Sequence, residues 1–541
     1  MKVVSGNIVD IVNRQIFKGS LHIENEKIVN IKQEPVSEDD YILPGLIDSH
    51  IHIESSMLAP SEFARLAVVH GTVATVSDPH EIANVLGIKG IQFMIKNGKQ
   101  VPFKFNFGAS SCVPATGFET SGATLGAEEI EELLNSDDIL YLSEMMNFPG
   151  VLHKDPMVMK KLELARQFNK PVDGHAPGLM GDEAKYYISA GITTDHECFS
   201  LEEGLNKVKH GMKVLIREGS AAKNFDALIP LIKTDPDMVM FCSDDRHPND
   251  LVKEHINALV QRAIQKGYDL FDILRAATLN PVQHYNLDVG LMQKGDDADF
   301  IVVNNLKNFE IISTYIKGQQ VSNDGKSLIS HVDFIPENYF KAKRISAIDL
   351  VVSPAGEKIN VIQALDGQLI TKKVNATLNT DNENMVSDPD QDVLKMVVLN
   401  RYKESRPALG FIKGFGLKHG AIASTVAHDS HNIIATGTSD ELIIRAINIL
   451  IENQGGIVAT DGQEDMSLAL PLAGLMARDD GYHVANMYEN IDEKAKEMGA
   501  TLQAPFMTLS FMALLVIPEL KLSDEGLFDG NQFAFTPLFV S

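Results

Sequence analysis

The chain has 541 residues, 44% hydrophobic and 22% charged, enough for roughly three soluble globular domains. A formal net charge of −25 with no Lys/Arg run repels a nucleic-acid backbone or an anionic membrane surface, so neither is expected as a partner. Three scattered cysteines, Cys112, Cys198 and Cys242, exclude a disulfide framework and suit a reducing compartment, so a cytoplasmic location is expected.

The first residues, Met1-Lys-Val-Val-Ser-Gly, lack the apolar core of a signal peptide. From there to about Gln33 the pattern is short and alternating, with Asn7 to Val12, Leu21 to Ile23 and Lys27 to Ile31 as hairpin strands and Gly6, Gly19 and polar pairs as separators. The same texture returns at Asp299 to Val303, Glu310 to Ile312 and Tyr315 to Val321. One small composite β-sandwich domain, residues 1–44 plus 286–345, is therefore expected around a long insertion.

Residues 45–285 alternate strand and helix. The strands are expected at Leu46–Ile51, Thr72–Ser77, Phe103–Ala109, Ile139–Ser143, Pro171–Gly174, Thr193–Asp195, Lys213–Arg217 and Met238–Ser243, with Gly71, Gly191 and Gly211 where helix C-caps belong. Eight such units have the dimensions of a (β/α)8 TIM-like barrel, with a doubly wound open sheet as the alternative. Residues 346–541 form a further C-terminal α/β domain, with a helix near Asp440–Ile451, another regular element at Leu468–Met476 and a surface loop over Asn379–Asp392. The apolar run Phe506 to Ile517 is too short to cross a bilayer and ends at Pro518, so it reads as a buried core element.

The chemistry gathers at the strand ends. His50 and His52 end the first barrel strand two residues apart, hence on one face. Glu144 ends the fourth strand, His175 the fifth, His196 the sixth and Asp244 the eighth. In a closed barrel these ends share one rim, where four imidazoles and two carboxylates suit one or two divalent ions, with Glu144 able to bridge a pair. Each alone has an ordinary alternative: His175 and His196 as hydrogen-bonded core histidines, Glu144 as a lysine's partner. A divalent ion there acidifies water and polarises an electrophile, and Asp244 could act as general base and then general acid. The reaction class is hydrolysis at an sp2 carbon.

These motifs resemble the amidohydrolase superfamily and, within it, the adenine deaminase family. The closer likeness is carried by Asp48-Ser-His-Ile-His-Ile-Glu-Ser-Ser56, Asp78-Pro-His-Glu-Ile-Ala-Asn-Val, Phe241-Cys-Ser-Asp-Asp-Arg and Val426-Ala-His-Asp-Ser-His-Asn432. The resemblance implies hydrolysis of adenine to hypoxanthine and ammonia in purine salvage, a hydrolase of cyclic amidine C–N bonds, two Mn2+ or Fe2+ ions per subunit, and a homo-oligomer with a homodimer expected. Relatives that open cyclic amides carry a carboxylated lysine where this chain has Glu144, which argues against a dihydroorotase or hydantoinase. The alternatives are a deaminase or cyclic amidohydrolase for another heterocycle, and an inactive barrel serving as an assembly protein.

Further clusters are open to two readings. Asp78, His80 and Glu81 follow the second strand and could contact the purine or a further ion, or cap the helix at Ile82. Glu54 and Ser55 could bind ring nitrogens or cap the next helix. Glu197 and Asp245 could relay protons or stay solvated. His428 and His431 could reach over the barrel mouth or pack within the C-terminal region.

Overall fold

The computed structural model describes residues 1–377, 380–381 and 384–540. Its centre is a ring of eight parallel strands in chain order: β5 (Leu46–His52), β6 (Thr72–Ser77), β7 (Lys104–Ala109), β8 (Ile139–Met145), β9 (Val172–Gly174), β10 (Thr194–Asp195), β11 (Lys213–Arg217) and β12 (Val239–Cys242). Strands such as β6 and β12 are buried along their whole length, because helices cover the outside and side chains fill the inside. Two seams complete the ring. Thr193 N donates to Val172 O (2.9 Å) between β9 and β10. At the other seam the two-residue strand β13 (Asp244–Asp245) pairs in parallel with Ile51 and His52 of β5. The expected barrel is present, and Gly71, Gly191 and Gly211 follow helical turns at φ +81°, +105° and +92°, where a side chain would be strained.

Before the barrel come β1 (Lys2–Asp10), β2 (Gln15–Glu24), β3 (Lys27–Gln33) and β4 (Tyr41–Pro44); after it come β14 (Phe300–Val303), β15 (Ile311–Ile316), β16 (Gln319–Asn323) and β17 (Lys326–Ser327). Among the described residues they form one sheet, ordered β17-β16-β15-β14-β4-β1-β2-β3, in which β4 joins the two halves, parallel to β1 and antiparallel to β14. The layers of the expected sandwich are two halves of this curled sheet, its far edge returning so that Ile28 N donates to Asp296 O (2.9 Å). Gly6 and Gly19 do not separate strands. They lie opposite each other inside β1 and β2, where an added Cβ would fall 2.7 Å from Asp40 O and 2.3 Å from Lys32 O. Glycine is there for close strand approach rather than for a turn.

The C-terminal region is built on β18 (Ile359–Gln363), β19 (Lys372–Ala376), β22 (Val393–Leu399), β23 (Ala408–Lys413), β24 (Ala421–Ser424), β25 (Ile433–Gly437), β26 (Gly456–Thr460) and β27 (Asp465–Ala469), ordered β19-β18-β23-β22-β25-β24-β26-β27. The helix Asp440–Asn453 starts where Ser439 Oγ accepts from Leu442 N (3.3 Å) and buries Ile443, Ile447 and Leu450 against this sheet. Of the expected surface loop, Asn379 and residues 382 and 383 lie outside the described residues; β20 (Thr380–Asp381) pairs with β21 (Asn384–Met385). The run Leu468–Met476 is not one element: β27 ends at Ala469, and Pro471 and Gly474 (φ +67°) turn the chain. The helix Pro505–Phe511 is buried throughout, and among the described residues no helix is long and apolar enough to cross a membrane.

This region sits on the barrel mouth. Ala477 N donates to Met57 O (2.8 Å), Gly481 N to Glu62 Oε2 (2.9 Å) and Asn432 Nδ2 to Thr120 O (2.9 Å), so it is tied to the segments after β5 and after β7.

Candidate metal centre

Six side chains converge at the carboxyl ends of the barrel strands, and His175, at 9% exposure, is the least buried of them. His50 and His52 project from alternate positions of β5, which brings their Nε2 atoms to 3.2 Å. Asp244 Oδ1 lies 3.6 Å from His50 Nε2 and 3.2 Å from His52 Nε2. Glu144 presents its two oxygens to different partners. Oε1 is 3.3 Å from His52 Nε2, while Oε2 is 2.8 Å from His175 Nδ1 and 3.3 Å from His196 Nε2.

Most of these separations exceed a direct hydrogen bond and match the edge, about 3.0–3.5 Å, of a polyhedron with metal–ligand bonds near 2.0–2.2 Å. The residues therefore fit a divalent metal. Glu144 thus faces His52 with Oε1 and both His175 and His196 with Oε2, while Asp244 faces His50 and His52. Burial pushes the Glu144 carboxyl up, but His175, His196 and His52 hold it well below the usual range, so it stands as a carboxylate among imidazoles.

Asp244 has φ +56°, in the left-handed region that Asp tolerates better than most residues. Arg217, at the end of β11, fixes it: Nη1 donates to Asp244 Oδ2 at 2.6 Å and also pairs with Glu197. Burial raises the Asp244 carboxyl and Arg217 outweighs it, leaving the pKa well below normal. Glu197 Oε1 lies 3.5 Å from His196 Nε2 and 3.8 Å from His175 Nδ1. Asp48, on the same face of β5 as His50 and His52, accepts from Ser243 N (3.0 Å) and faces His255 Nε2 (2.8 Å), clamping the first strand to the end of the eighth.

The small cavity above the centre, about 30 Å3, is walled by His80, Met146, Asp245 and, from the C-terminal region, Leu369, His428, Asp429, Phe511 and Leu514. Of the five residues assigned from sequence to substrate, His80 reaches this cavity. Asp78, Glu81, Glu54 and Ser55 stand behind it. His80 Nδ1 is 3.3 Å from Asp78 Oδ2, and Glu81 Oε1 is 3.6 Å from His428 Nδ1. Ser55 Oγ lies 2.8 Å from Glu81 Oε1 and 2.5 Å from Asp245 Oδ1, its one hydroxyl proton serving a single acceptor at a time. Glu54 accepts from Ile82 N (3.2 Å), capping the helix His80–Leu86 instead of the one that follows it in sequence. His428 reaches the mouth, while His431 packs behind, its Nδ1 accepting from Ala427 N (3.2 Å).

Sequence reasoning missed Arg217, Asp48 and the apolar wall. An arginine ending the run Lys213–Arg217 was a signal for the first, and the alternation 48, 50, 52 for the second. The apolar run Phe506 to Ile517 marked Phe511 and Leu514 as buried, but nothing local placed them or Leu369 at the cavity.

Comparison with known proteins agrees with this geometry. Residues 41–321 match the Amidohydrolase family and residues 368–534 the Adenine deaminase C-terminal domain. The chain is similar to the protein named Adenine deaminase of Sulfurovum sp. (strain NBC37-1), at 57% identity over 98% of each chain. It is also similar to the proteins of that name from Methanosarcina mazei, at 52% over 100% of each, and Salinibacter ruber, at 52% over 99% of each. With a barrel, a six-residue centre and a C-terminal cover all within the matched spans, the chain belongs to the adenine deaminase family of amidohydrolases.

Proposed function

We propose that this chain hydrolyses adenine to hypoxanthine and ammonia, as an enzyme of purine salvage. The observation that carries the reading is full-length identity of 57% to a protein named Adenine deaminase, and the buried donor set supports it. When bound, a divalent metal supplies a Lewis acid that acidifies water and polarises the carbon under attack. We assign two ions, Mn2+ or Fe2+, which His50, His52, His175, His196, Asp244 and Glu144 would hold.

The chain's own residues then have separate tasks. Asp244, held by Arg217, takes a proton from the attacking water. It returns the proton to the exocyclic amine, so that the C6–N bond breaks, ammonia leaves and C6 keeps the water oxygen. Glu197, on the same guanidinium, is assigned to proton relay. His80 offers a ring nitrogen to the purine, with Asp78, Glu81, Glu54 and Ser55 fixing it and His428 from behind. Met146, Leu369, Phe511 and Leu514 keep bulk water out, which strengthens the electrostatics inside.

The division into residues 1–44 with 286–345, 45–285 and 346–541, a cytoplasmic location and a homodimer belong to the same reading. The test is ammonia release from adenine by the metal-reconstituted full chain. A folded, metal-loaded protein that releases none would end the proposal.

A further inference from the structure

The barrel supplies every proposed metal ligand, yet the outer wall of the cavity comes from the C-terminal region. One group in that wall has a capacity the fold leaves unused. Asp429 is 3% exposed, and its Oδ2 has no hydrogen-bond partner among the described residues. Its Oδ1 lies 3.6 Å from both His80 Nε2 and His428 Nδ1, beyond a normal hydrogen bond. A buried carboxylate only accepts, and leaving it short of donors costs free energy. It therefore fits a ligand that brings an N–H.

Its distance from the ligands is set by His80. One nitrogen of that ring is 3.5 Å from Glu144 Oε1 and the other faces Asp429, so the carboxylate stands one imidazole beyond Glu144. That separation is on the scale of a purine with C6 toward the metal ligands and its five-membered ring toward Asp429. Beside it, the Phe511 ring lies nearly parallel to His428 (centroids 4.8 Å, 16°), and Leu514 shares the wall. A cavity of about 30 Å3 holds little more than a water or two. Phe511 and Leu514 stand in its wall, and a group projecting from the ring needs more room than a bare N–H.

We infer that Asp429 accepts the imidazole-ring N–H of a free purine base, and that Phe511 and Leu514 occupy the space an N9 substituent would need. The C-terminal region would then supply the residues by which this site tells a free base from its nucleoside. The inference rests on the adenine reading for its chemistry. A nucleoside has a glycosidic bond where the free base has this N–H, and a site built around such a donor rejects the analogue lacking it by on the order of 10^4-fold.

The experiment uses the metal-loaded full chain. Equilibrium binding of purine and of 9-methylpurine is measured by calorimetry, and ammonia release from adenine, 9-methyladenine and adenosine alongside. Wild type should bind purine at least about 100-fold more tightly than 9-methylpurine and turn over adenine alone. Asp429→Leu, which has no acceptor left, should raise KM for adenine roughly tenfold or more, leave kcat within a few-fold, keep its metal and narrow the purine/9-methylpurine gap. Leu514→Ala, a milder change that spares the polar groups, should raise kcat/KM for 9-methyladenine. Equal binding of the two purines by wild type would overturn the inference, with or without any turnover. An unchanged KM in a folded Asp429→Leu would do the same. Selective base binding without ammonia release would instead sink the deamination reading and leave this one standing.

Discussion

Arg217 Nη1 sits 2.6 Å from Asp244 Oδ2, and the same guanidinium pairs with Glu197, so two carboxylates at the metal rim share one cation. Removing it strands both in a buried setting. Arg217→Met should lower stability by about 3–5 kcal/mol and cut turnover, since Asp244 would no longer be held at its angle. Arg217→Lys keeps the charge but loses the rigid planar fork of donors. It should regain stability more than activity in parallel urea titrations and ammonia assays.

Asp244 and His50 face each other at 3.6 Å but are assigned different work. Asp244→Asn should abolish measurable ammonia release while most of the metal stays, because the amide oxygen can still ligate. His50→Ala should lose metal, with activity falling in proportion. Metal analysis after gel filtration distinguishes them, and equal metal loss in both variants would contradict the assignment.

Chelation tests the centre as a whole. Dialysis against a strong chelator should remove activity, and added Mn2+ should restore it. Uptake should weaken at acid pH, because imidazoles and carboxylates must shed protons to bind. A chelated protein with full activity would rule out the donor set.

Lys521 is fully buried and donates from Nζ to Leu369 O (2.7 Å) and Phe511 O (2.9 Å), stapling two parts of the cavity wall. Burial pulls its pKa from 10.5 to about 7. The unfolded chain therefore binds the extra proton between pH 7 and 10.5, and stability rises with pH across that window. Wild type should gain about 3 kcal/mol on Lys521→Met between pH 7 and 9.5, read from urea midpoints. A gap that stays constant with pH would mean the lysine is charged throughout.

Gly19 tests the composite sheet. An alanine there would put its Cβ 2.3 Å from Lys32 O in a neighbouring strand. Gly19→Ala should cost about 1–3 kcal/mol, with activity per folded molecule unchanged. An unshifted melting midpoint would show that the strands can part there.

The barrel was legible because its strands are short β-branched runs between turn residues: Thr72–Ser77 and Lys213–Arg217 appear with the bounds expected of them. The six centre residues were legible because a parallel barrel brings its strand ends to one rim, whatever their spacing in sequence. Gly6 and Gly19 misled because in one dimension a glycine reads as a breaker, while close approach to a neighbouring carbonyl exists only between strands. Phe511 and Leu369 were hidden for a related reason. Their apolar character says they are buried, not that they are buried against a barrel mouth built by residues hundreds of positions earlier. Arg217 was a lone charge ending an apolar run, and its two carboxylate partners come from other strands.

The place of β4 has a consequence for synthesis. It pairs with β1 at once, but its other edge waits for β14, whose residues 300–303 emerge only after the whole barrel has been made. At roughly 5–20 residues per second the ribosome leaves that edge unpaired for tens of seconds. An open strand edge invites pairing with another nascent chain, so slowing translation after residue 44 should raise aggregation more than slowing it after residue 330.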